Sequence, residues 1–319
     1  MRALICGLLF VVVGLSAALA EAPPYRAGVT RLAVQDATPF DALVAYPTNA
    51  AEQGTEAGPF TLSAARDAPV AGGALFPIVL FSHGSGRGPG TPLISSGLLL
   101  HLARQGFIVV APFHPGGARP FVNRPRQVKK ALETVLADLR FARRVDPDRV
   151  AMIGFSFGGA VALINAGAAV DLAHLAAYCR ANARDRRACD GVPTDGALAA
   201  VPPRASTDAL PLKALVLLEP YGAPFTRAGL ATLDLPVLLY RARQSDLGAE
   251  GNVLALARAL PRPPRQVDVD GNHFVFIDPC PRALAAQAPA LCRDPDGFDR
   301  AAIQQRLKDE ITAFLRATL

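Results

Sequence analysis

Several absences narrow the chain before any motif is read. Beyond its first twenty residues it has no apolar run long enough to span a bilayer, which takes about 20 residues. It has no C-x-x-C pair and no histidine at ligand spacing from a cysteine, which argues against a zinc site. There is no G-x-G-x-x-G fingerprint. The glycine-rich stretch Gly84–Gly90 lacks the Gly-Lys-Ser/Thr ending of a phosphate-binding loop. There is no internal repeat. Lysine and arginine total 33 against 27 acids, a formal charge of +6. The arginines are scattered and form no basic stripe with interleaved aromatics. This reads as a solvated basic surface, with no nucleic-acid partner.

The two ends and the cysteines bound the rest. Arg2, the apolar run Leu4–Leu15 and the small-residue stretch Ala18-Leu19-Ala20 have the three parts of a secretory signal peptide. The reading is a signal at 1–20, a mature chain from near Glu21, and a periplasmic or secreted protein. The alternative, an uncleaved anchor, is disfavoured by the shortness of the run. Residues 21–319 are read as one domain. Four cysteines remain after cleavage: Cys179, Cys189, Cys280 and Cys292. An even number in an exported chain suggests disulfides, and the local pairs 179–189 and 280–292 close the shortest loops.

Strand-like and helix-like segments alternate. Thr30–Val34 and Asp41–Tyr46 read as a hairpin, and 47–73 as a loop. Phe76–Ser82 and Phe107–Ala111 are nearly continuous apolar runs, as in buried parallel strands. Leu93–Arg104 reads as a helix, and so does Gln127–Arg144 with its apolar stripe. A strand at Val150–Ile153 and a helix at Gly158–Ala168 follow. The rhythm breaks at about 171–210, which reads as a lid-like insertion over the sheet. Strands resume at Lys213–Leu218, Pro236–Tyr240 and Gln266–Val269, with helices at Val253–Leu260 and Ala301–Leu315. This alternation predicts an α/β fold with a mostly parallel central sheet covered on both faces.

The chemistry centres on Gly154-Phe155-Ser156-Phe157-Gly158. A strand meets G-x-S-x-G and a small-residue helix follows, the arrangement of a nucleophile elbow. Glycines on either side keep side chains out of a very tight turn. A serine hydroxyl needs a base to take its proton and a carboxylate to orient that base. In this arrangement the acid and then the histidine follow the serine along the chain. Only His174 and His273 follow Ser156, and His174 comes too early. His273, in Asp270-Gly271-Asn272-His273-Phe274, is the predicted base. Two carboxylates compete for the third role. Asp246 follows the strand at 236–240 and is preferred. Glu219 ends the preceding strand and is the alternative. The oxyanion is expected to meet the N–H of Phe157 and a second N–H from the loop after Phe76–Ser82, with Ser85 the predicted donor. His83 is read as pinning that loop.

These segments together carry a resemblance. His83-Gly84-Ser85-Gly86, Ala111–Gly116, Asp146–Arg149 and Gly154–Gly159 resemble the α/β-hydrolases. The stretches His273–Pro281 and Cys292–Arg300 are similar to the bacterial predicted dienelactone hydrolase group, relatives of platelet-activating-factor acetylhydrolase. The resemblance runs from about residue 30 to the C-terminus. It implies an α/β-hydrolase fold, and a Ser156–Asp246–His273 triad that cleaves short or small carboxylic esters without metal or cofactor. A lipase- or phospholipase-type acylhydrolase acting on a lipid ester is the second reading, and a binding module with a dead site the third. Ser156 stands where true dienelactone hydrolases carry cysteine. Acetylhydrolase relatives often place the acid where Glu219 lies.

Overall fold

The structure is a computed structural model that describes residues 22–84, 90–198 and 202–319. The signal read at 1–20 and the predicted oxyanion donor Ser85 lie outside the described residues. In chain order the strands are β1 Arg26–Val34, β2 Phe40–Thr48, β3 Gln53–Ala57, β4 Phe60–Arg66, β5 Phe76–Ser82 and β6 Ile108–Pro112. They continue as β7 Val145–Phe155, β8 Ala169–Val170, β9 Arg204–Ala205, β10 Ala214–Leu218, β11 Val237–Ala242 and β12 Arg265–Val269. Helices α1 Ser96–Arg104, α2 Pro120–Ala137 and α3 Phe157–Asn165 follow β5, β6 and β7 in turn. Then come α4 Leu172–Ala181, α5 Arg186–Cys189, α6 Arg227–Leu230 and α7 Val253–Ala259. The chain closes with α8 Arg282–Gln287, α9 Pro289–Cys292 and α10 Arg300–Thr318.

Ten strands form one sheet in the order β12-β11-β10-β7-β5-β6-β2-β1-β4-β3. The six from β12 to β6 run parallel, and β2 and β1 extend the sheet antiparallel. Every residue of β6 and β10 is buried. That is the reason these strands read as unbroken apolar runs. The pleat of β5 divides the core in two. Ile78 and Leu80 pack with Val128 and Ala131 of α2 and Leu163 of α3 on one face. Val79 and Phe81 pack with Leu99 of α1 and Ile311 of α10 on the other.

Two readings of the sequence need correction. The segment 47–73 is not a loop throughout, because it holds the hairpin β3–β4. Phe60, Leu62 and Ala64 are buried while Thr61 and Ser63 are exposed, the alternation of a half-buried strand. The helix placed at 127–144 is α2, running from Pro120 to Ala137. Proline in its first turn is favoured, since that N–H has no intrahelical acceptor. Leu139, counted in the apolar stripe, is 92% exposed beyond the helix end.

Two disulfides are present, Cys179–Cys189 and Cys280–Cys292, the local pairs. The first joins α4 to α5. The second ties the segment after β12 to the end of α9. No helix of the described residues is long and apolar enough to cross a membrane.

Candidate active site

β7 and β10 are parallel neighbours with Phe155 opposite Leu218, so the next residues, Ser156 and Glu219, leave adjacent strand tips. Each turns with a left-handed backbone that few non-glycine residues adopt, φ 53° at Ser156 and φ 43° at Glu219. Hydrogen bonds hold both turns. Ser156 N–H donates to the Leu218 carbonyl at 3.0 Å, Tyr221 N–H to the Ser156 carbonyl at 2.9 Å, and Glu219 N–H to the Tyr240 carbonyl at 3.0 Å. The elbow's glycines are required by close approach. A Cβ on Gly154 would land on the carbonyl of Gly158, and one on Gly158 would land on the carbonyl of Ser82. Strained, over-determined backbone of this kind is a mark of functional sites.

His273 reaches the same point from the far edge of the parallel strands. The chain leaves β12, turns at Gly271 and enters a short 3-10 turn, His273–Phe276. Asn272 caps that turn by accepting the Phe274 N–H at 2.8 Å, and its amide donates to the Arg293 carbonyl at 2.9 Å. Arg293 follows Cys292, so the second disulfide borders the support of the His273 turn. The imidazole is 2% exposed and lies against the Phe155 ring, centroids 5.1 Å apart.

Three side chains form one hydrogen-bonded line. Ser156 Oγ is 3.0 Å from His273 Nε2, and His273 Nδ1 is 3.3 Å from Glu219 Oε2. A carboxylate only accepts, so Nδ1 carries the proton and Nε2 is left to accept the serine hydroxyl. Glu219 is fully buried, and its Oε1 has no hydrogen-bond partner among the described residues. A buried carboxylate is costly without partners, so its hydrogen bond to the imidazole is the one visible reason for its position.

Asp246, the preferred acid in the sequence, does not touch His273. The loop after β11 carries it to the pocket rim, where Arg187 of α5 holds it through Nε and Nη2. Its side chain is 65% exposed. Burial raises its pKa, but the hydrogen bonds and charge of Arg187, with a smaller pull from His273, hold the carboxyl below its usual range. Arg187 also lies over the Phe274 ring at 4.9 Å. The link is invisible in sequence because its partners are 59 residues apart.

Phe157 is the first residue of α3, so its N–H has no acceptor within the helix. Beneath the loop after β5 lies a buried polar group. His83 Nδ1–H donates to the Gly84 carbonyl at 2.7 Å, which fits a loop-pinning role. Its Nε2 accepts the His114 N–H at 3.5 Å. His114 Nδ1–H donates to Gln127 Oε1 at 2.8 Å, and its Nε2 accepts the Ser82 hydroxyl at 3.0 Å. Burial, aided by the charge of Arg124, pushes the His83 pKa down to about 3, so this imidazole is neutral at pH 7.

Ser156 opens into a cavity of about 870 Å³. Phe121, Phe157 and Tyr221 wall it with mutually packed rings, centroids 4.9 to 6.3 Å apart. Much of the opposite wall comes from 171–198, including Leu175, Arg187 and Val192. The Tyr221 hydroxyl donates to the Ala188 carbonyl at 2.8 Å, and Asn252 and Tyr178 both donate to Asp185. Among the described residues no cluster of histidine, cysteine and carboxylate could hold a metal. Sequence reading missed Phe121 and Tyr221, neither of which carries a motif.

No protein-family model and no curated protein matches the chain. Solved structures do. One is a dienelactone hydrolase-like promiscuous phosphotriesterase from metagenomic libraries, similar at a TM-score of 0.53 and 17% identity. The alignment covers 92% of this chain and 99% of that one. The likeness extends over the sheet and its flanking helices, and the chain has the α/β-hydrolase fold.

Proposed function

We propose that this protein is a serine hydrolase that cleaves carboxylic esters through an acyl-enzyme on Ser156. The observation that carries the reading is the continuous line Ser156 Oγ–His273–Glu219, at 3.0 and 3.3 Å, opening on a cavity. His273 Nε2 takes the hydroxyl proton as Ser156 Oγ bonds to the ester carbonyl carbon. Glu219 fixes the tautomer and stabilises the imidazolium. The Phe157 N–H, with a second donor proposed at Ser85, receives the negative oxygen. Collapse breaks the bond to the leaving oxygen, which takes the proton from His273. Water then repeats the cycle, giving its proton to His273 and its oxygen to the acyl carbon, and Ser156 recovers its proton. No step calls for a metal or cofactor.

The aromatic wall suits an apolar acyl or alkoxy group, and the cavity volume lies within the range of small-molecule sites; small or short-chain esters are the substrate class proposed. A lipase-type acylhydrolase requires activity that rises with acyl length. The structural neighbour's name adds phosphotriesters, whose phosphorus Ser156 would attack in the same way. The signal at 1–20 and the two disulfides support export to an oxidising compartment. The test is turnover of p-nitrophenyl acetate, butyrate, octanoate and a diethyl aryl phosphate by wild type and S156A. Wild type is expected to prefer the short carboxylic esters, and S156A to lose the activity. Undiminished turnover in S156A overturns the reading.

A further inference from the structure

Ser156 stands between two unlike halves of its cavity, and the sheet sets them out. β5 and β6 lie on one side of β7, and β10, β11 and β12 on the other. Phe121, in the first turn of α2 after β6, packs on Phe157 of α3 with ring centroids 4.9 Å apart, and Tyr221 packs on both. The Tyr221 hydroxyl is taken by the Ala188 carbonyl at 2.8 Å, so Tyr221 offers the cavity its ring. The other half borders the base. Phe274 lies edge-on to His273 with centroids 5.3 Å apart, and the Arg187 guanidinium lies over the same Phe274 ring at 4.9 Å. Arg187 and Asp246 both line the cavity. Asp246 accepts from Nε and Nη2 of the guanidinium, and Nη1 has no partner among the described residues. The backbone under Arg187 is fixed. Asp185 caps α5 by accepting the Ala188 N–H at 3.2 Å, and Cys189 is bridged to α4. Because Asp246 offsets its charge, Arg187 presents a held donor and not a free cation. Of the other arginines at the cavity, Arg186 is paired with Asp190 and Arg119 is exposed.

The chemistry orients a substrate between these halves. His273 Nε2 gives its proton to the leaving oxygen, so the alcohol must lie within hydrogen-bond reach of the imidazole. The acyl substituent, on the other side of the carbonyl carbon, points away from it. We propose that the site selects esters of an aromatic acid with an alcohol that carries a further hydroxyl. The acyl ring packs on Phe121, Phe157 and Tyr221, and the alcohol's hydroxyl accepts from Arg187 Nη1, which makes Arg187 a specificity-determining residue. The proposal rests on the ester-hydrolysis reading above. A ring gains from packing on other rings beyond burial alone. A hydroxyl placed among those rings loses its water and finds no partner.

Glyceryl monobenzoate and benzyl glycerate are constitutional isomers that exchange the two sides of the ester. Ring conjugation makes the benzoate carbonyl the less reactive, so chemistry alone favours benzyl glycerate. Wild type is expected to reverse this, with kcat/KM at least about tenfold higher for glyceryl monobenzoate, the scale of one mismatched group in a pocket. R187Q is expected to lose about tenfold more on glyceryl monobenzoate than on methyl benzoate, mainly through KM. F121A is expected to lose about tenfold more on glyceryl monobenzoate than on glyceryl monoacetate. A smaller isomer ratio in wild type overturns the proposal, and so does an R187Q or F121A loss that is equal on its paired esters. If a variant does not fold, the wild-type isomer ratio decides. p-Nitrophenyl butyrate and S156A run alongside. Wild type that cleaves p-nitrophenyl butyrate but neither isomer overturns the proposal alone, whereas activity retained in S156A overturns the hydrolysis reading.

Discussion

Glu219 is fully buried with its hydrogen bond on the imidazole, whereas Asp246 stands in solvent with its carboxylate held by Arg187. An exposed ion pair contributes little, while a buried acceptor on Nδ1 sets the tautomer of the base. E219Q should therefore lower kcat by about 10³- to 10⁴-fold, as in triads whose acid becomes an amide. D246N should stay within about threefold of wild type, since it alters only an exposed pair. Steady-state kinetics on one ester checks both. The reverse ranking would return the acid role to Asp246. In the sequence, Ser156 and His273 stood out because chain order and flanking glycine and asparagine left few rivals. The acid could not be chosen that way. Both carboxylates follow strands, and the choice depends on a backbone turn at Glu219 and on an arginine far away in sequence.

At the scale of elements, α1 and the segment after His273 meet through Asp278. Its Oδ2 accepts the Gly97 N–H at 2.6 Å near the start of α1, and its Oδ1 is buried without a partner among the described residues. Burial raises this carboxyl to about 6, against the pull of the Gly97 N–H, Lys308 and Ser96. The folded protein therefore keeps the proton between about pH 4 and 6, where the unfolded chain has lost it. The stability this group contributes is full below about pH 4 and is lost as pH rises through 6. D278N, always neutral and still an acceptor, should gain stability relative to wild type between pH 4.5 and 7.5. Thermal melts at the two values test this, and a gap that does not change with pH contradicts it.

The Cys280–Cys292 bridge acts at the same scale. Loop closure of this size is worth about 3 kcal/mol. C280S/C292S should lower the melting temperature. It should also lower kcat, since Arg293 beside the bridge supports Asn272 and the turn of His273. A variant with a lowered melting temperature and full kcat would separate the bridge from the base. Elements with continuous apolar runs, such as β5, β6 and β10, were legible nearly to the residue. The β3–β4 hairpin was not, because no residue of β3 is buried and β4 has only Phe60 and Leu62 as large apolar residues. The bounds of α2 were not legible from the apolar stripe, which continues past the helix end to the exposed Leu139.

Across the whole molecule, the sheet order explains why residues distant in sequence converge. From β5 the chain goes to β6 on one side and then crosses to β7 on the other. Such a switch leaves a crevice beyond the carboxyl ends of the strands, where open α/β sheets place their sites. Ser82, Ser156, Glu219 and His273 all lie at or just after those ends. The mostly parallel α/β sheet followed from the strand–helix rhythm, but the strand order and the cavity wall did not. It is built by short elements within 171–198, tied together by a disulfide and by hydrogen bonds to Tyr221 and Asn252. The proposed export belongs to this scale too. The secreted protein should begin near Glu21 and, with both bridges formed and Cys6 removed, show no free thiol by intact mass. A retained leader or a titratable thiol would contradict that.

The central claim is a nucleophilic Ser156 driven by His273 and Glu219. Its most direct measurement is the rate of covalent labelling by a fluorophosphonate, followed by intact mass and peptide mapping in wild type, S156A, E219Q and D246N. The account predicts one adduct, on Ser156, absent in S156A, slowed by orders of magnitude in E219Q and unchanged in D246N. An adduct on another residue, or a rate that falls in D246N and holds in E219Q, would contradict it.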